Sequence, residues 1–373
     1  MISKRKTRVL VGMSGGVDSS VTAALLKKRG YDVIGFTMQL LPKEEASQSA
    51  CCNLHAVNDA QRVATKWKIP HYTLNLRDPF AHHVISNFVT QYANGFTPNP
   101  CVECNRHIKF DELFKKAEEL DADYVATGHY SKITYSPRSK TYRLKRAVDA
   151  AKDQSYFLYM LPSEKLSRIL FPLGRYPKSQ VRDWARKFGL INADKADSQE
   201  ICFVSQKSCR DFVSEKLDDS RKQPGPIVDM EGVVLGQHDG IYRYTIGQRK
   251  GLGISTKEPV YVVKINPATQ TVVVGALGDL KIKSIALSTF GLADPSEHVI
   301  GRTYQIKTRS QMTVVPCKIL ALDGQVATVE MKTPQDFVSP GQSGVIYDKD
   351  RIVGGGIISE VMSWNRFLRF KVF

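Results

Sequence analysis

Three stretches of the 373-residue chain hold residue types that could do chemistry together. The first is MSGGVDS, Met13 to Ser19, which joins an apolar strand pattern to an apolar helix pattern. Gly12, Gly15 and Gly16 let the backbone approach a ligand closely, and the N–H groups opening the next helix favour an anion. Ser14 and Ser19 add hydroxyl donors. Asp18 is the odd member, because a carboxylate in an anion site needs a bridging cation such as Mg²⁺. The bland alternative is an ordinary strand-to-helix turn with Asp or Ser as a cap. The loop also lacks the Lys of G-x-x-x-x-G-K-[ST].

The other two stretches carry cysteines. Cys101 and Cys104 sit in FTPNPCVECNRHIKF (Phe96 to Phe110), read as a proline-rich loop just before a helix, with Arg106 and Lys109 nearby. Thiols near a helix start and cations have lowered pKa values and act as nucleophiles. Cys202 stands far away in DSQEICFV (Asp197 to Val204). A cysteine is more often a small buried hydrophobe, the reading given to Cys209, Cys317 and the pair Cys51 and Cys52. Zinc is disfavoured because no second C-x-x-C or H-x₃₋₅-H follows, and His107 is read as accompanying the helix start, so no metal ligand is assigned. Three thiolates from Cys101, Cys104 and Cys202 could hold an iron–sulfur cluster, and that alternative stays open.

The elements that must position these groups are legible from periodicity. Strand patterns at Arg8–Val11, Asp32–Leu40, His71–Leu76 and Tyr124–Tyr130 alternate with helical ones at Val17–Lys28, Asn58–Trp67, Phe80–Tyr92 and Ile108–Leu120. Such alternation predicts an α/β fold with a doubly wound parallel sheet, whose ligands lie beyond the strand C-termini. The glycine loop, Met38, Gly128 and His129 would then converge on one crevice. Lys132–Arg146 reads as a hairpin, and Ser163–Leu170 and Ser179–Phe188 as helical. Beyond about residue 210, short β-rich runs separated by turns predict small barrels or sandwiches. The boundaries expected are 1–209 for the catalytic domain, 210–278 for a small central β-rich domain and 279–373 for a C-terminal β-barrel.

Composition narrows the class. A 42% apolar chain of this length supports two or three cores, and no apolar run approaches the roughly 20 residues of a membrane span. The opening MISKRKTRVLVG holds no secretory h-region. A cytoplasmic location of bacterial type is expected, with an organelle matrix as the alternative. The formal charge of +16 points to a polyanionic partner, and nucleic acid is favoured over a merely solvated basic surface.

The motifs together carry a resemblance. SGGVDS resembles the pyrophosphate (PP) loop of N-type ATP pyrophosphatases, adenine nucleotide alpha hydrolase-like proteins that adenylate a substrate and release pyrophosphate. SGGVDSSV, TPNPCxxCN with IKFD, ATGHY, KDQSYFL, DSQEICF, YTIGQRKGLGI and SPGQ, in that order, are similar to the tRNA-specific 2-thiouridylase family over nearly the whole chain. That resemblance implies an ATP-pyrophosphatase domain, a small central domain and a tRNA-binding C-terminal β-barrel. It implies ATP contacts at Gly12, Met13, Ser14, Gly15, Gly16, Val17, Asp18, Ser19, Met38 and Gly128, with Mg²⁺ bound transiently. Cys104 matches the family nucleophile and Cys202 the cysteine that carries sulfur as a persulfide, the two ending as a disulfide bond. Asn99, Pro100 and Cys101 match the segment facing the target base. Lys152, Asp153, Gln154, His129 and Gln342 match tRNA contacts, and Arg309 and Ser310 match another such segment poorly. Some members carry Asp where Cys101 stands here, which leaves the identity of any base on the nucleophile open. The implied partners are tRNA, through the wobble uridine of its anticodon, and a sulfur donor protein, a cysteine desulfurase or relay carrier. Rival readings are an ATP-pyrophosphatase acting on a small metabolite, a non-catalytic RNA-binding protein, and thiolation through the iron–sulfur cluster.

Overall fold

The computed structural model describes residues 6–42, 54–137, 139–197, 201–204, 208–363 and 369–371. Cys51 and Cys52 lie outside them. The chain divides into two compact units: Met1–Ile85 with Pro100–Gln206 and Asp350–Ile352, and Ser86–Asn99 with Lys207–Lys349 and Val353–Phe373.

The first unit is built on a five-stranded sheet. Its strands are β1 (Arg8–Gly12), β2 (Asp32–Gln39), β3 (His71–Asn75), β4 (Tyr124–Ala126) and β7 (Ile169–Leu170), in the order β3-β2-β1-β4-β7, and between β4 and β7 the chain forms the antiparallel hairpin of β5 (Ser131–Ser136) and β6 (Thr141–Arg146). Every neighbouring pair of the five-stranded sheet is parallel. The apolar sequence RVLVG suits a central strand covered on both faces, and Val9, Leu10 and Val11 are fully buried. Helix α1 (Val17–Lys28) packs Val17, Val21, Leu25 and Leu26 into the same core, and helix α2 (Leu54–Lys66) adds Ala60, Val63 and Ala64. Successive strands run outward from β1 through β2 to β3, and the chain then returns to β4 on the other side of β1. The order therefore reverses beside β1, where the carboxyl ends of β1 and β4 open a crevice. A doubly wound α/β sheet was the expected architecture, and it is the one found.

Three local expectations are corrected. The strand read over Tyr124–Tyr130 stops at Ala126, because Gly128 turns the chain hard against helix α1. Ser163–Arg168 is a 3₁₀ segment followed by the short strand β7, not an α-helix. Cys101 and Cys104 do not lie in a loop. Pro100–Glu103 is helical, Cys104–Phe110 is a π-helical turn, and helix α3 (Asp111–Glu119) continues from it. Pro100 accounts for the start, since a first-turn proline loses no helical hydrogen bond.

The second unit contains two β structures. Strands β8 (Gly225–Val228), β9 (Val234–His238), β10 (Tyr261–Asn266) and β11 (Thr271–Gly275) form a small sheet in the order β10-β11-β8-β9 over Ile227, Val262, Ile265, Val272 and Val274. Strands β12 (Ile282–Leu292), β13 (Thr303–Lys307), β14 (Val315–Asp323), β15 (Val326–Gln335), β16 (Ser343–Asp348) and β17 (Arg351–Ser363) run β12-β15-β14-β13-β16-β17. Pairing of β12 with β17 closes them into a six-stranded barrel. Its interior, including Ile285, Ile306, Ile319, Val329, Met331 and Ile346, is fully buried. A small central domain followed by a C-terminal barrel matches the fold expected.

Candidate active site

The glycine loop leaves β1 at its carboxyl end. Gly15 has φ of +69°, and a Cβ there would sit 2.1 Å from the Ala56 carbonyl oxygen, so only glycine fits. Gly16 is the N-cap of α1 and makes no side-chain capping bond, which leaves the first N–H groups of a twelve-residue helix directed at the loop. The hydroxyls are organised inward: Ser14 N–H donates to Ser19 Oγ at 3.1 Å, and Ser19 Oγ donates to the Gly16 carbonyl at 3.2 Å. Met38 lies near the carboxyl end of β2, whose Phe36 carbonyl and Thr37 hydroxyl bond Met13 of the loop, and Gly128 follows β4. A Cβ on Gly128 would meet Asp18 C and Ser19 N at 2.8 Å, so the segment leaving β4 lies directly against the first turn of α1. This uncapped cradle, with close approach enforced at two glycines, fits the phosphates of a nucleotide.

Asp18 has a different setting from the one expected. Lys178, the first residue of helix α4 (Lys178–Lys187), brings its ammonium within 2.7 and 2.8 Å of both Asp18 carboxylate oxygens. Tyr130 Oη donates to Asp18 Oδ1 at 2.8 Å. Burial and the neighbouring Asp18 raise the Tyr130 hydroxyl well above its ordinary pKa, so it stays a donor. The carboxylate assigned to Mg²⁺ is thus committed to an ammonium. Among the described residues no three His, Cys, Asp or Glu side chains gather as metal ligands. Neither a metal bridge through Asp18 nor a cluster on Cys101, Cys104 and Cys202 finds a preformed ligand set among the described residues.

Further residues that the spacing did not reveal hold the loop from behind. Asn192 Nδ2 donates to the Gly15 carbonyl at 3.0 Å and to Ser20 Oγ at 2.9 Å. Lys195 Nζ donates to the Gly15 carbonyl at 3.4 Å and to Asp59 Oδ2 at 3.0 Å. These residues lie more than 170 positions from the loop, beyond any periodic signal in the sequence.

The thiols occupy contrasting environments: Cys101 is exposed, Cys104 buried and Cys202 half-buried. The π-helical turn that carries Cys104 is anchored by Asn105, whose Nδ2 donates to the Phe157 carbonyl at 3.1 Å. Such turns concentrate at functional sites. The same turn packs on the short helix Arg77–Phe80. Phe203, adjacent to Cys202, sets its ring edge-on to Phe80 at 5.7 Å. Segments bearing the two thiols, almost a hundred residues apart, therefore share one neighbour. By contrast, Cys317 is buried in the barrel core, its thiol pushed up to about 12 by burial. Cys209, read as buried, is half-buried at the start of helix α5 (Cys209–Lys216).

Residues matched to tRNA contacts divide by environment. Lys152 is partly exposed, whereas Asp153 is a buried hub that accepts from Arg146 Nε, Ala147 N, Ser155 N and Ser155 Oγ at 3.0–3.2 Å. Gln154 exchanges bonds with the Tyr130 backbone. His129 is buried between Phe110 and Phe171 and bonds Thr127 Oγ1 at 2.7 Å. Burial, and secondarily Lys109, lowers its pKa well below the ordinary value, so it is neutral.

In the second unit, Gln342 Nε2 donates to the Thr97 carbonyl at 2.8 Å, and Thr97 N–H donates to the Pro340 carbonyl at 2.8 Å. Gly341 has φ of +90° and its Cβ would collide with Thr97 N at 2.8 Å. The barrel loop SPGQ thus braces the residues directly preceding Asn99. Arg309 is exposed over the Phe337 ring at 5.6 Å, and the Ser310 carbonyl accepts from Lys307 Nζ at 3.0 Å.

A nucleotide-type cradle at the switch point of a parallel sheet, followed by two β domains, defines a HUP-class α/β protein with appended barrels. Family models match the chain in that order: a tRNA methyl transferase HUP domain over residues 7–206, a tRNA methyl transferase PRC-barrel domain over 210–276 and an aminomethyltransferase β-barrel domain over 284–358. The chain is 46% identical over 359 residues to the tRNA-specific 2-thiouridylase MnmA of Carboxydothermus hydrogenoformans, covering 95% of this chain and 98% of that one. It is 46% identical over 365 residues to the enzyme of the same name from Clostridium beijerinckii, covering 96% and 100%. The chain belongs to the tRNA-specific 2-thiouridylase family. Among solved structures, a 4-thiouridine synthetase–RNA complex with bound ATP overlaps 56% of this chain and 51% of its own at 16% identity, with a TM-score of 0.35.

Proposed function

We propose that this protein is a tRNA-uridine 2-sulfurtransferase. It uses ATP to adenylate the C2 oxygen of the wobble uridine and replaces that oxygen with sulfur, giving 2-thiouridine, AMP and pyrophosphate. The observation that carries the reading is the pairing, in one unit, of an uncapped anion cradle at the sheet switch point with two thiol-bearing segments packed on the same short helix. Full-length identity to proteins named as 2-thiouridylases supports it. The family models carry methyltransferase in their descriptions, but methyl transfer needs neither an adenylating loop nor a cysteine pair.

In this reading the cradle from Gly12 to Ser19, with Met38 and Gly128, holds ATP, and its N–H groups stabilise the charge that develops on the departing pyrophosphate. The uridine C2 oxygen attacks the α-phosphorus, and AMP then becomes its leaving group. A persulfide on Cys202, charged by a sulfur donor protein, attacks C2 through its terminal sulfur and expels AMP. The Cys104 thiolate attacks the Cys202 sulfur, breaks the S–S bond to the transferred atom and leaves 2-thiouridine with a Cys104–Cys202 disulfide. A dithiol reductant returns both thiols. Alternatively, Cys104 attacks the persulfide first and releases hydrosulfide, which attacks C2. Asn99, Pro100 and Cys101 face the base, which must leave the anticodon stack. His129, Lys152 to Gln154, Arg309, Ser310 and Gln342 serve the tRNA directly or by holding the segments that do. Residues 1–209, 210–278 and 279–373 act as catalytic, central and tRNA-binding domains, in a bacterial cytoplasm where ATP and tRNA abound.

The test is nucleoside mass analysis of tRNA incubated with the protein, ATP, Mg²⁺ and a persulfide source. The expected result is 2-thiouridine formed with pyrophosphate and AMP. Adenylation of a small metabolite, with pyrophosphate released in the absence of tRNA, would overturn the reading. Full activity in a colourless, iron-free preparation would eliminate the iron–sulfur route.

A further inference from the structure

The ion pair at Asp18 is one end of a chain of charges. The Lys178 ammonium, whose side chain is only 10% exposed, spends two of its three donors on Asp18 and its third on Asp197 Oδ1 at 2.9 Å. Asp197 also accepts from Arg182 Nη2 at 2.9 Å and from Lys152 Nζ at 2.7 Å. Burial alone would raise the Asp197 pKa, yet its bonds from Lys152 and Lys178 hold it down to about 2. Asp149 fixes the geometry from the side. Its Oδ2 accepts from Lys178 N–H at 2.9 Å, and its carbonyl accepts from Lys152 N–H at 3.2 Å. Two carboxylates thus face three cations, and every donor of Lys178 is already engaged.

We propose that Lys178 and Asp197 are positioning residues that make phosphate occupancy of the loop and RNA-phosphate binding at Lys152 antagonistic, so that loss of pyrophosphate tightens the grip on tRNA. The inference rests on the proposed function for the identity of the two ligands. A phosphate oxygen arriving at the cradle can take a donor of Lys178 only by displacing a carboxylate. Asp197 then loses one cation and holds Lys152 harder, and an RNA phosphate must compete with that stronger hold. When pyrophosphate departs, Lys178 returns to Asp197 and Lys152 is released toward RNA. The coupling is reciprocal, as any linkage between two binding events must be. Its consequence is order: the adenylated tRNA is held most firmly when it awaits sulfur.

The experiment measures tRNA affinity of the full-length protein with and without inorganic pyrophosphate at fixed ionic strength. In the wild type, saturating pyrophosphate is expected to weaken tRNA binding by about fivefold or more, within the usual range of coupling between sites. In Asp197→Asn, which removes the carboxylate that Lys152 and Lys178 share, the effect is expected to shrink to within about twofold, and binding without pyrophosphate to become tighter than wild type. A merely structural Asp197 would weaken tRNA binding instead. Lys152→Met is a second variant whose residual tRNA affinity is expected to ignore pyrophosphate. No effect of pyrophosphate on the wild type, or an equal effect in wild type and both variants, would overturn the proposal. The wild-type thiolation assay separates this result from failure of the functional reading: an enzyme that makes 2-thiouridine but shows no antagonism loses only the relay.

Discussion

Lys178 and Asp18 lie 160 residues apart and form a two-pronged ion pair at 2.7 and 2.8 Å, inside the turn where β1 passes into α1. The lysine that the loop lacks in sequence is thus supplied at its side by another helix. An acid at the head of a helix and against an anion site is held without a metal, because an ammonium and a tyrosine hydroxyl already satisfy it.

That pairing ties Asp18 to both Lys178 and Tyr130 beside the cradle. Asp18→Ala leaves the Lys178 ammonium half-paired at the cradle and removes the bond to Tyr130. Pyrophosphate release dependent on tRNA is expected to fall by about a hundredfold, the scale seen when one preorganised electrostatic contact is lost. Unchanged release, followed by a coupled phosphate assay, would refute the assignment.

Cys104→Ser and Cys202→Ser are each expected to abolish 2-thiouridine formation while leaving tRNA affinity within about twofold, since each removes a sulfur that the chemistry needs and neither residue is matched to a tRNA contact. Nucleoside mass analysis and gel-shift titration read the two quantities separately. A variant that still thiolates tRNA would clear its residue of the role. Cys317→Ser should instead affect stability only, because its thiol is buried in the barrel core.

Gly128→Ala and Gly12→Ala separate close approach from general crowding. At Gly128 a Cβ would press on the Asp18 and Ser19 backbone at 2.8 Å, whereas at Gly12 its nearest neighbour is a Leu113 methyl at 3.4 Å. Gly128→Ala is expected to cost about 1–3 kcal/mol of stability and to raise the KM for ATP, and Gly12→Ala much less. Chemical denaturation with ATP titration checks both, and equal effects would contradict the geometry.

His129 gives a pH signature with a definite sign. Its pKa is lowered in the fold by burial, and secondarily by Lys109, so the folded protein keeps it neutral where the unfolded chain would protonate it. The stability it contributes is complete above its unfolded value, about 6.5, and is lost progressively as pH falls below that value toward the lower folded one. Urea midpoints are expected to fall between about pH 6.5 and 5, and His129→Gln is expected to flatten that slope. An identical slope in the variant would show that another group governs it.

Much of this architecture was legible in the residues. The run RVLVG, then glycines and hydroxyls, then VDSSVTAALLKK specifies a buried strand, a tight turn and a helix by local preference alone, and β1 and α1 are where that pattern puts them. Of the three loop glycines read as giving the backbone freedom, Gly15 takes a positive φ of +69°, while Gly12 and Gly16 do not. The alternation that predicted a parallel sheet and the turn-rich C-terminal strands were equally plain, since each follows from periodicities of a few residues. What the sequence could not contain was the partner of each polar group. Nothing near residue 178 marks that lysine as belonging to a turn at residue 18, nor residue 192 as a prop for Gly15. Only the folding of α4 back onto α1 brings them together. The tertiary structure likewise decided that the side chains of Asp153 and His129 are buried, while Lys152 keeps one side toward solvent. Local preference travels along the chain and can be read there; charge pairing and burial are set by which distant segments meet.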